Sequence, residues 1–181
     1  SVHPRTVLGY SQDGKKVIFL VVDGRSPLSD GATTPALGSL MKYAGAWDAI
    51  NVDGGGSTCL YSSALGVRNR PSDGYERADC NGIFAVSEAP DDSVIASIRY
   101  MDFSLQMPKY GMYTPKFYGY NQYGMLIDTD VKGVKLSCSE GLGHVIGDTT
   151  FFADGTMSEG VLTATYGDIT TTITAQVQNT A

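Results

Sequence analysis

The chain has 181 residues, of which 42% are hydrophobic and 18% charged, and its formal net charge is -6 at pH 7. The basic residues are neither clustered nor in excess, which argues against a nucleic acid or an anionic membrane surface as the main partner. No apolar run approaches the ~20 residues that a membrane-spanning helix needs, so the sequence predicts no membrane span.

The two halves of the chain differ in composition, which predicts two domains. Residues 1–90 hold five of the six arginines and the single tryptophan, whereas residues 91–181 hold seven of the eleven tyrosines. We place the first domain at residues 1–89 and the second at residues 92–181, with a short acidic, proline-containing linker between them.

Two apolar runs in the first half each end in an Asp-Gly pair. Residues 17–22 precede Asp23, Gly24 and Arg25, and residues 49–52 precede Asp53 and the glycines Gly54, Gly55 and Gly56. Consecutive glycines after a strand indicate a backbone that takes φ > 0 or comes very close to a neighbour. We interpret that neighbour as a ligand, and the alternative is a tight hairpin turn after an edge strand.

The segment between these two strands has a helical pattern. Leu37, Leu40, Met41 and Ala44 have the spacing i, i+3, i+4, i+7, with Thr34 as the predicted N-cap and Gly45 as the end of the helix. A crossover helix joins parallel strands, so the carboxyl ends of both strands should lie at one edge of one sheet. Because ligands usually bind at that edge, we expect Asp23, Arg25, Asp53 and the glycines to share a site.

A polar loop follows at residues 68–77, with three arginines and acidic neighbours. Such loops are usually just solvated, but guanidinium groups near strand-end carboxylates also suit a phosphate or carboxylate ligand. After this loop, residues 81–86 (NGIFAV) predict the final strand of the first domain.

The second half has the pattern of short strands and turns that is typical of an antiparallel β-sandwich. The clearest pair is residues 161–166 and 169–177 around Gly167 and Asp168, and residues 97–100, 135–138 and 150–153 repeat the style. The tyrosines of residues 110–123 are interpreted as packing residues in preference to a carbohydrate-stacking face.

The three cysteines, Cys59, Cys80 and Cys138, contain no CxxC spacing, and the chain has two histidines. This set does not fit a zinc site, and we predict no metal and no cofactor. Free thiols are the favoured interpretation, while pairing of Cys59 with Cys80 in an oxidising compartment stays open.

Five features of the first half resemble, in order, those of the phosphodiester glycosidase family. They are His3-Pro4-Arg5-Thr6, Val22-Asp23-Gly24-Arg25, the predicted helix at residues 37–45, residues 51–57 (NVDGGGS) and residues 69–74 (NRPSDG). The family includes the lysosomal uncovering enzyme, which removes N-acetylglucosamine from a phosphodiester on mannose. The resemblance covers residues 1–89. We expect the fold class α+β there, with a mixed sheet and one main helix.

The resemblance implies hydrolysis of a sugar-1-phosphodiester at the anomeric carbon. Asp53 is then expected as base or nucleophile, and Asp23 as its partner or as a ligand of sugar hydroxyls. The remaining expected substrate-binding residues are Arg5, Arg25 and Arg70 as a phosphate clamp, Gly54, Gly55 and Gly56 through their backbone N–H groups, and His3, Ser57, Asn69 and Asp73. One carboxylate and a phosphate clamp would replace the usual pair of carboxylates.

The second half resembles a bacterial immunoglobulin-like domain, an all-β sandwich. Together the two resemblances imply a secreted or cell-surface bacterial protein that acts on extracellular glycans. The catalytic domain of the family extends upstream of the His-Pro-Arg-Thr motif, so we expect the other half of that domain in cis or as a second chain. The alternative is a non-catalytic glycan-binding or cell-wall-associated module that keeps the family fold.

Overall fold

The computed structural model describes residues 1–178, which are mostly β-structure in several sheets with one short helix. The chain divides into two compact units, Ser1–Val86 and a second unit that begins at Ser87. The first unit contains β1 (Arg5–Tyr10), β2 (Val17–Val22), α1 (Thr34–Tyr43), β3 (Asp48–Asn51), a 3₁₀ turn at Gly55–Ser57, β4 (Tyr61–Ser62) and β5 (Gly66–Val67). No helix within residues 1–178 has both the length and the apolar character needed to cross a membrane.

The main sheet of the first unit has the strand order β2-β1-β3. β1 is antiparallel to both neighbours, with Arg5 opposite Val22 and Val7 opposite Asn51. β2 and β3 are therefore parallel and have their carboxyl ends at the same edge, which confirms the predicted strand directions. The sequence did not predict that β1 lies between them. Because β1 is antiparallel to both neighbours, this sheet contains only antiparallel pairs, and the expectation of a mixed sheet is wrong. The first residues of β1 reach the same edge as the ends of β2 and β3.

Helix α1 packs on this sheet through the buried residues Leu37 and Met41, which form a small core with Val7 and Ala32. Gly9 fits where β1 passes the helix and β3, because a Cβ there would lie 2.9 Å from the Asp48 carbonyl oxygen and 2.5 Å from Met41 Cε. The N-cap is Thr33 and not Thr34, since the side chain of Thr33 accepts the N–H of Ala36. The helix therefore begins one residue earlier than predicted.

The predicted strand at residues 81–86 is absent, and this prediction is wrong. The segment has no strand partner in the unit, and Ile83, Phe84 and Val86 are 61%, 82% and 82% exposed. A strand needs a neighbour for its backbone hydrogen bonds, and neither edge strand of the sheet, β2 or β3, pairs with this segment. The apolar side chains are consequently left in solvent.

Over residues 87–178 the second unit has ten strands and its own core. The strands are β6 (Ser97–Tyr100), β7 (Leu105–Pro108), β8 (Met112–Tyr113), β9 (Phe117–Tyr120), β10 (Leu126–Asp128), β11 (Lys135–Cys138), β12 (His144–Ile146), β13 (Thr150–Phe152), β14 (Glu159–Tyr166) and β15 (Ile169–Gln178). Their sheets have the orders β10-β9-β6, β11-β14-β15-β7 and β12-β13-β8. The predicted hairpin is present as β14 and β15. β7 runs parallel to β15, so the expectation of purely antiparallel strands is wrong.

Candidate functional site

The edge of the sheet where β2 and β3 end is built around the backbone of His3 and Pro4. The Pro4 carbonyl accepts the N–H of Gly55 at 3.0 Å, and a Cβ on Gly54 would lie 2.6 Å from that carbonyl oxygen. On the other side, a Cβ on Gly31 would overlap the His3 carbonyl. The close neighbour that requires glycine at position 54 is therefore the start of β1, and not a ligand as the sequence suggested.

The N–H groups of the three glycines are mostly used inside the protein. The N–H of Gly54 donates to Asp53 Oδ1 at 2.8 Å, and that of Gly55 donates to Pro4. Among the hydrogen bonds of residues 1–178, none has the N–H of Gly56 as its donor. All three N–H groups were expected to face a phosphate. In the described part of the chain, the N–H of Gly56 is the one that is not already bonded to a protein acceptor.

Asp53 lies two residues after the end of β3 and is exposed. Its Oδ1 accepts the N–H of the next residue, Gly54, which fixes the carboxylate at the start of the glycine turn. Such a local bond is what an aspartate makes when it caps a turn, and it leaves the second oxygen open to solvent. The same carboxylate can therefore cap the turn and act on a bound molecule.

Asp23, at the end of β2, is bonded to the loop that follows β5. Its Oδ1 accepts from Asn69 Nδ2 at 3.1 Å and from the Arg70 N–H at 3.0 Å, while Oδ2 lies 3.1 Å from the same N–H. Asn69 also donates to the Thr58 carbonyl at 2.9 Å and accepts the Leu60 N–H at 2.7 Å. Asp23 and Asn69 thus connect three segments of the chain.

Arg25 lies beside the glycine turn. Its Nη2 is 3.2 Å from the position of a Cβ on Gly55, and its backbone has φ 54°. A residue other than glycine in the left-handed region is uncommon and persists where surrounding structure imposes it. The turn after β2 therefore directs the exposed guanidinium group towards the turn after β3.

Arg5, Arg70 and His3 are placed differently from Arg25. The Arg5 guanidinium donates to the backbone carbonyls of Ala32 at 3.1 Å and Ser1 at 3.0 Å. Arg70 contributes its main-chain N–H to Asp23, and its side chain is exposed. His3 forms a backbone bridge with Ala32, and its residue is half-buried. Of the three arginines expected in the clamp, Arg25 lies at the glycines.

A second polar cluster covers Gly56. Arg77 donates to Asp73 Oδ2 from Nε at 3.0 Å and from Nη2 at 2.6 Å, and to Ser57 Oγ from Nη1 at 3.4 Å. Ser57 in turn donates to Asp79 Oδ1 at 3.1 Å. The hydrogen bond and charge of Asp73 raise the pKa of Arg77, with smaller contributions from Asp79 and Asp53.

Sequence reasoning placed Ser57 and Asp73 in the site. It counted Arg77 among the three arginines of the residue 68–77 loop without assigning it to the site, and it missed Asp79. The i, i+4 spacing of Asp73 and Arg77 was the available signal, since oppositely charged residues at that spacing often pair. The pair here lies in a loop and not on a helix, so the spacing alone gave no reason to place it over Gly56.

The cysteines are free thiols in the structure. Burial raises the pKa of the Cys59 thiol, and the nearby carboxylates of Glu76 and Asp79 raise it further. A thiol of raised pKa is a poorer nucleophile near neutral pH. Within residues 1–178, no group of three or more His, Cys, Asp or Glu side chains is placed so that it could hold a metal ion.

Comparison with known proteins finds a family match for the first unit. Residues 1–86 match the model of the family described as Phosphodiester glycosidase. The family resemblance expected from the motifs is thereby confirmed. The SPbeta prophage-derived uncharacterized protein YomE of Bacillus subtilis (strain 168) is similar, at 38% identity over 91 residues. The match covers 50% of this chain and 14% of the length of that protein. No solved structure matches.

Proposed function

We propose that the protein hydrolyses a sugar-1-phosphodiester at the anomeric carbon. The match of residues 1–86 to the phosphodiester glycosidase family model supports the reaction class. The structural observation that carries the proposal is that β2 and β3 deliver Arg25 and Asp53 to neighbouring residues of the same glycine turn, Gly55 and Gly54. A cation for the phosphate and a carboxylate for the sugar carbon are therefore adjacent.

In the proposed reaction, water adds to the anomeric carbon and the bond from that carbon to the phosphate oxygen breaks. The products are the free sugar and a phosphomonoester, and the second proton of the water goes to the phosphate or to solvent. Asp53 serves either as the base that activates the water or as the nucleophile that first bonds to the anomeric carbon. In the second case the water then hydrolyses that bond and frees Asp53. Because phosphate is a weakly basic leaving group, little general-acid assistance is required.

Arg25 stabilises the charge that develops on the departing phosphate. Its planar guanidinium group matches two phosphate oxygens, which a lysine ammonium does not. Asp23 has a supporting position in this proposal, since its carboxylate is occupied by Asn69 and the N–H of Arg70. It holds the residue 69–74 loop at the end of β2.

We further propose that more of the catalytic domain, in cis or as a second chain, completes the site. Exposed apolar residues of the first unit support this, among them Ile50 of β3 at 63% and Phe84 at 82%. An uncovered strand edge and apolar surface are features that a further chain segment would cover. From the family resemblance we propose N-acetylglucosamine as the sugar. We also propose, from the sequence resemblances of the two halves, that the protein is secreted or at the bacterial cell surface. The second unit is proposed to be immunoglobulin-like on the same basis.

The test is hydrolysis of an N-acetylglucosamine-1-phosphodiester by the full-length protein, with two variants compared. Asp53→Asn keeps the shape and can still accept the Gly54 N–H, but it should lose almost all kcat with little change in KM. Arg25→Lys keeps the charge and loses the fork, so it should raise KM, and it should lower kcat as well because the fork also stabilises the charge on the departing phosphate. Asp53→Asn should therefore be the variant that changes kcat with little effect on KM. Near wild-type kcat for a folded Asp53→Asn variant would contradict the catalytic assignment.

The alternative function is a non-catalytic glycan-binding or wall-associated module. The observation in its favour is that Asp53 and Asp23 both have structural bonds, the first to Gly54 and the second to Asn69 and Arg70. Retention of glycans or cell-wall fragments by a full-length protein that turns over no sugar-1-phosphodiester would support this alternative.

A further inference from the structure

Two guanidinium groups flank the glycine turn, one at each of two consecutive glycines. Arg25 lies against Gly55, with Nη2 3.2 Å from the position of a Cβ there. Arg77 lies against Gly56 so closely that a Cβ would overlap its Nη2 and the neighbouring Asp73 Oδ2. Glycine at position 56 therefore makes room for the Asp73–Arg77 pair. The close approach of the start of β1 accounts for glycine at position 54, and this pair accounts for glycine at position 56.

The way in which Asp73 holds Arg77 resembles the binding of an oxyanion. A single oxygen, Oδ2, accepts from both Nε and Nη2, at 3.0 and 2.6 Å. That edge of a guanidinium group is the one that carboxylate and phosphate oxygens use. The pair is partly exposed, with side-chain exposures of 45% for Arg77 and 24% for Asp73, so the bond is accessible to an exchanging ligand.

A second contact fixes the guanidinium group independently of Asp73. Nη1 of Arg77 donates to Ser57 Oγ at 3.4 Å, and Ser57 itself donates to Asp79. If Asp73 moves away, Ser57 still holds the group above the turn. An arginine that is oriented before a ligand arrives loses less conformational entropy on binding it.

We propose that Arg77 is a phosphate-binding residue and that Asp73 occupies its binding edge until a phosphate group replaces it. The phosphate then lies between Arg25 and Arg77 beside Gly55 and Gly56, where the N–H of Gly56 is an additional donor. This inference rests on the proposed function for the identity of its ligand as a phosphodiester, whereas the binding of a phosphate group at this place is testable without turnover.

The nearby carboxylates determine how the site responds to charge. Asp53 and Asp79 act on Arg77 along with Asp73, so a phosphate must compete with three negative charges. Removal of the charge of Asp73 should therefore tighten phosphate binding, while removal of the charge of Arg77 should weaken it. A pair that is only structural would respond differently, because both changes would break the same contact.

The experiment measures the binding of inorganic phosphate to the full-length protein by titration calorimetry at low ionic strength. Arg77→Gln should raise the Kd about 10-fold or more, as expected for a lost charged hydrogen bond, and Asp73→Asn should lower it about 3-fold or more. The matched control is Lys15→Gln, which removes one positive charge in the hairpin between β1 and β2, at the opposite edge of the sheet. It should leave the Kd within about 2-fold of wild type. Circular dichroism and thermal unfolding establish that each variant is folded.

The signs of the two effects decide the outcome. Opposite shifts for Arg77→Gln and Asp73→Asn support the inference, even if no variant hydrolyses a sugar-1-phosphodiester and the proposed function fails. Weakened binding in both variants, or an unchanged Kd for Arg77→Gln, overturns it. In that case the pair only fastens the residue 69–79 segment over the turn, and the proposed function survives if the wild-type protein is still active.

Discussion

The carboxylate of Asp23 accepts the main-chain N–H of Arg70 with both oxygens, at 3.0 and 3.1 Å. This contact joins the end of β2 to a loop 47 residues further along the chain. Asn69 strengthens it, because its side chain donates to Asp23 and to the Thr58 carbonyl and accepts the Leu60 N–H. The position of the residue 69–74 loop at the sheet edge therefore depends on the Asp23 carboxylate and on the side-chain amide of Asn69.

Replacement of that amide should destabilise the first unit. Asn69→Ala removes three hydrogen bonds and leaves the Leu60 N–H without its side-chain acceptor, which should cost about 1–3 kcal/mol. Asn51→Ala is the control, since the side chain of Asn51 makes one local bond to the Val52 carbonyl in an exposed strand. Urea denaturation of both variants gives the comparison. Equal effects for the two would mean that Asn69 has no special position.

The directions of the strands in the first unit could be predicted from the sequence. Alternation of apolar residues, the Asp-Gly turn near Asp13 and one helical segment are local signals, and local signals determine β1, β2 and α1. The same signals predict that β2 and β3 are parallel. The position of β1 between them depends on long-range pairing, which a strand pattern does not encode.

The candidate site was predictable to a smaller extent. Asp23, Arg25 and Asp53 follow strands, so the topology brings them to one edge. The contact of Arg77 with Gly56 depends on the path of an irregular loop. Neither hydrophobic periodicity nor turn residues predict the path of such a loop. Residues 81–86 show the opposite error, because a strand-like apolar run forms a strand only where a neighbouring strand offers hydrogen bonds.

The N-cap of α1 can be located by a pair of adjacent variants. Thr33 is the residue whose side chain accepts the N–H of Ala36, at 3.4 Å. Thr33→Ala should therefore lower the free energy of unfolding by about 1 kcal/mol. Thr34→Ala, at the first helical position, should be neutral or slightly stabilising because alanine has the higher helix propensity. Thermal unfolding would contradict this assignment if the larger loss came from Thr34→Ala.

Gly31 should be intolerant of a side chain for a reason other than its backbone angle. Both Gly31 and Gly14 have positive φ, at 115° and 67°, but a Cβ on Gly31 would overlap the backbone of His3 whereas one on Gly14 meets no atom within 4 Å. Gly14→Ala should cost about 1 kcal/mol, from the left-handed conformation alone. Gly31→Ala should cost about 2 kcal/mol or more and shift the start of β1. Chemical denaturation of the two variants tests this. Similar losses in the free energy of unfolding would mean that the backbone at His3 moves at little cost to make room for the side chain.

Ser72 has a buried hydroxyl with no hydrogen-bond partner among residues 1–178. A buried polar atom without a partner is destabilising, so Ser72→Ala should leave the free energy of unfolding unchanged or raise it by up to about 1 kcal/mol. Ser29→Ala is the contrasting control, because its hydroxyl donates to the Asp23 carbonyl at 2.6 Å and accepts the Gly31 N–H at 3.2 Å. That variant should lose about 1 kcal/mol. A larger loss for Ser72→Ala in urea denaturation would show that this hydroxyl has a partner in solution.

The second unit should lose stability in alkali because of the buried Tyr100 and the half-buried Tyr113. Burial raises the pKa of Tyr100, whose hydroxyl donates to the Leu162 carbonyl at 3.2 Å. Burial also raises the pKa of Tyr113, with the hydrogen bond to Asp102 as the second cause. A folded state that holds these protons more tightly is fully stabilised below the usual tyrosine pKa of about 10, and the stabilisation is lost as pH rises above that value.

Tyr100→Phe should remove part of this alkaline loss. At neutral pH the variant should be less stable by about 0.5–1.5 kcal/mol, because the Leu162 carbonyl loses its hydroxyl donor in the core. Above about pH 10 its stability should fall less steeply than that of the wild type, since one fewer proton is released on unfolding. Urea denaturation midpoints measured from about pH 8 to about pH 12 give both slopes. Tyr123→Phe, at a side chain that is 48% exposed, should retain the wild-type slope. An unchanged slope for Tyr100→Phe would mean that this phenol does not control the alkaline transition.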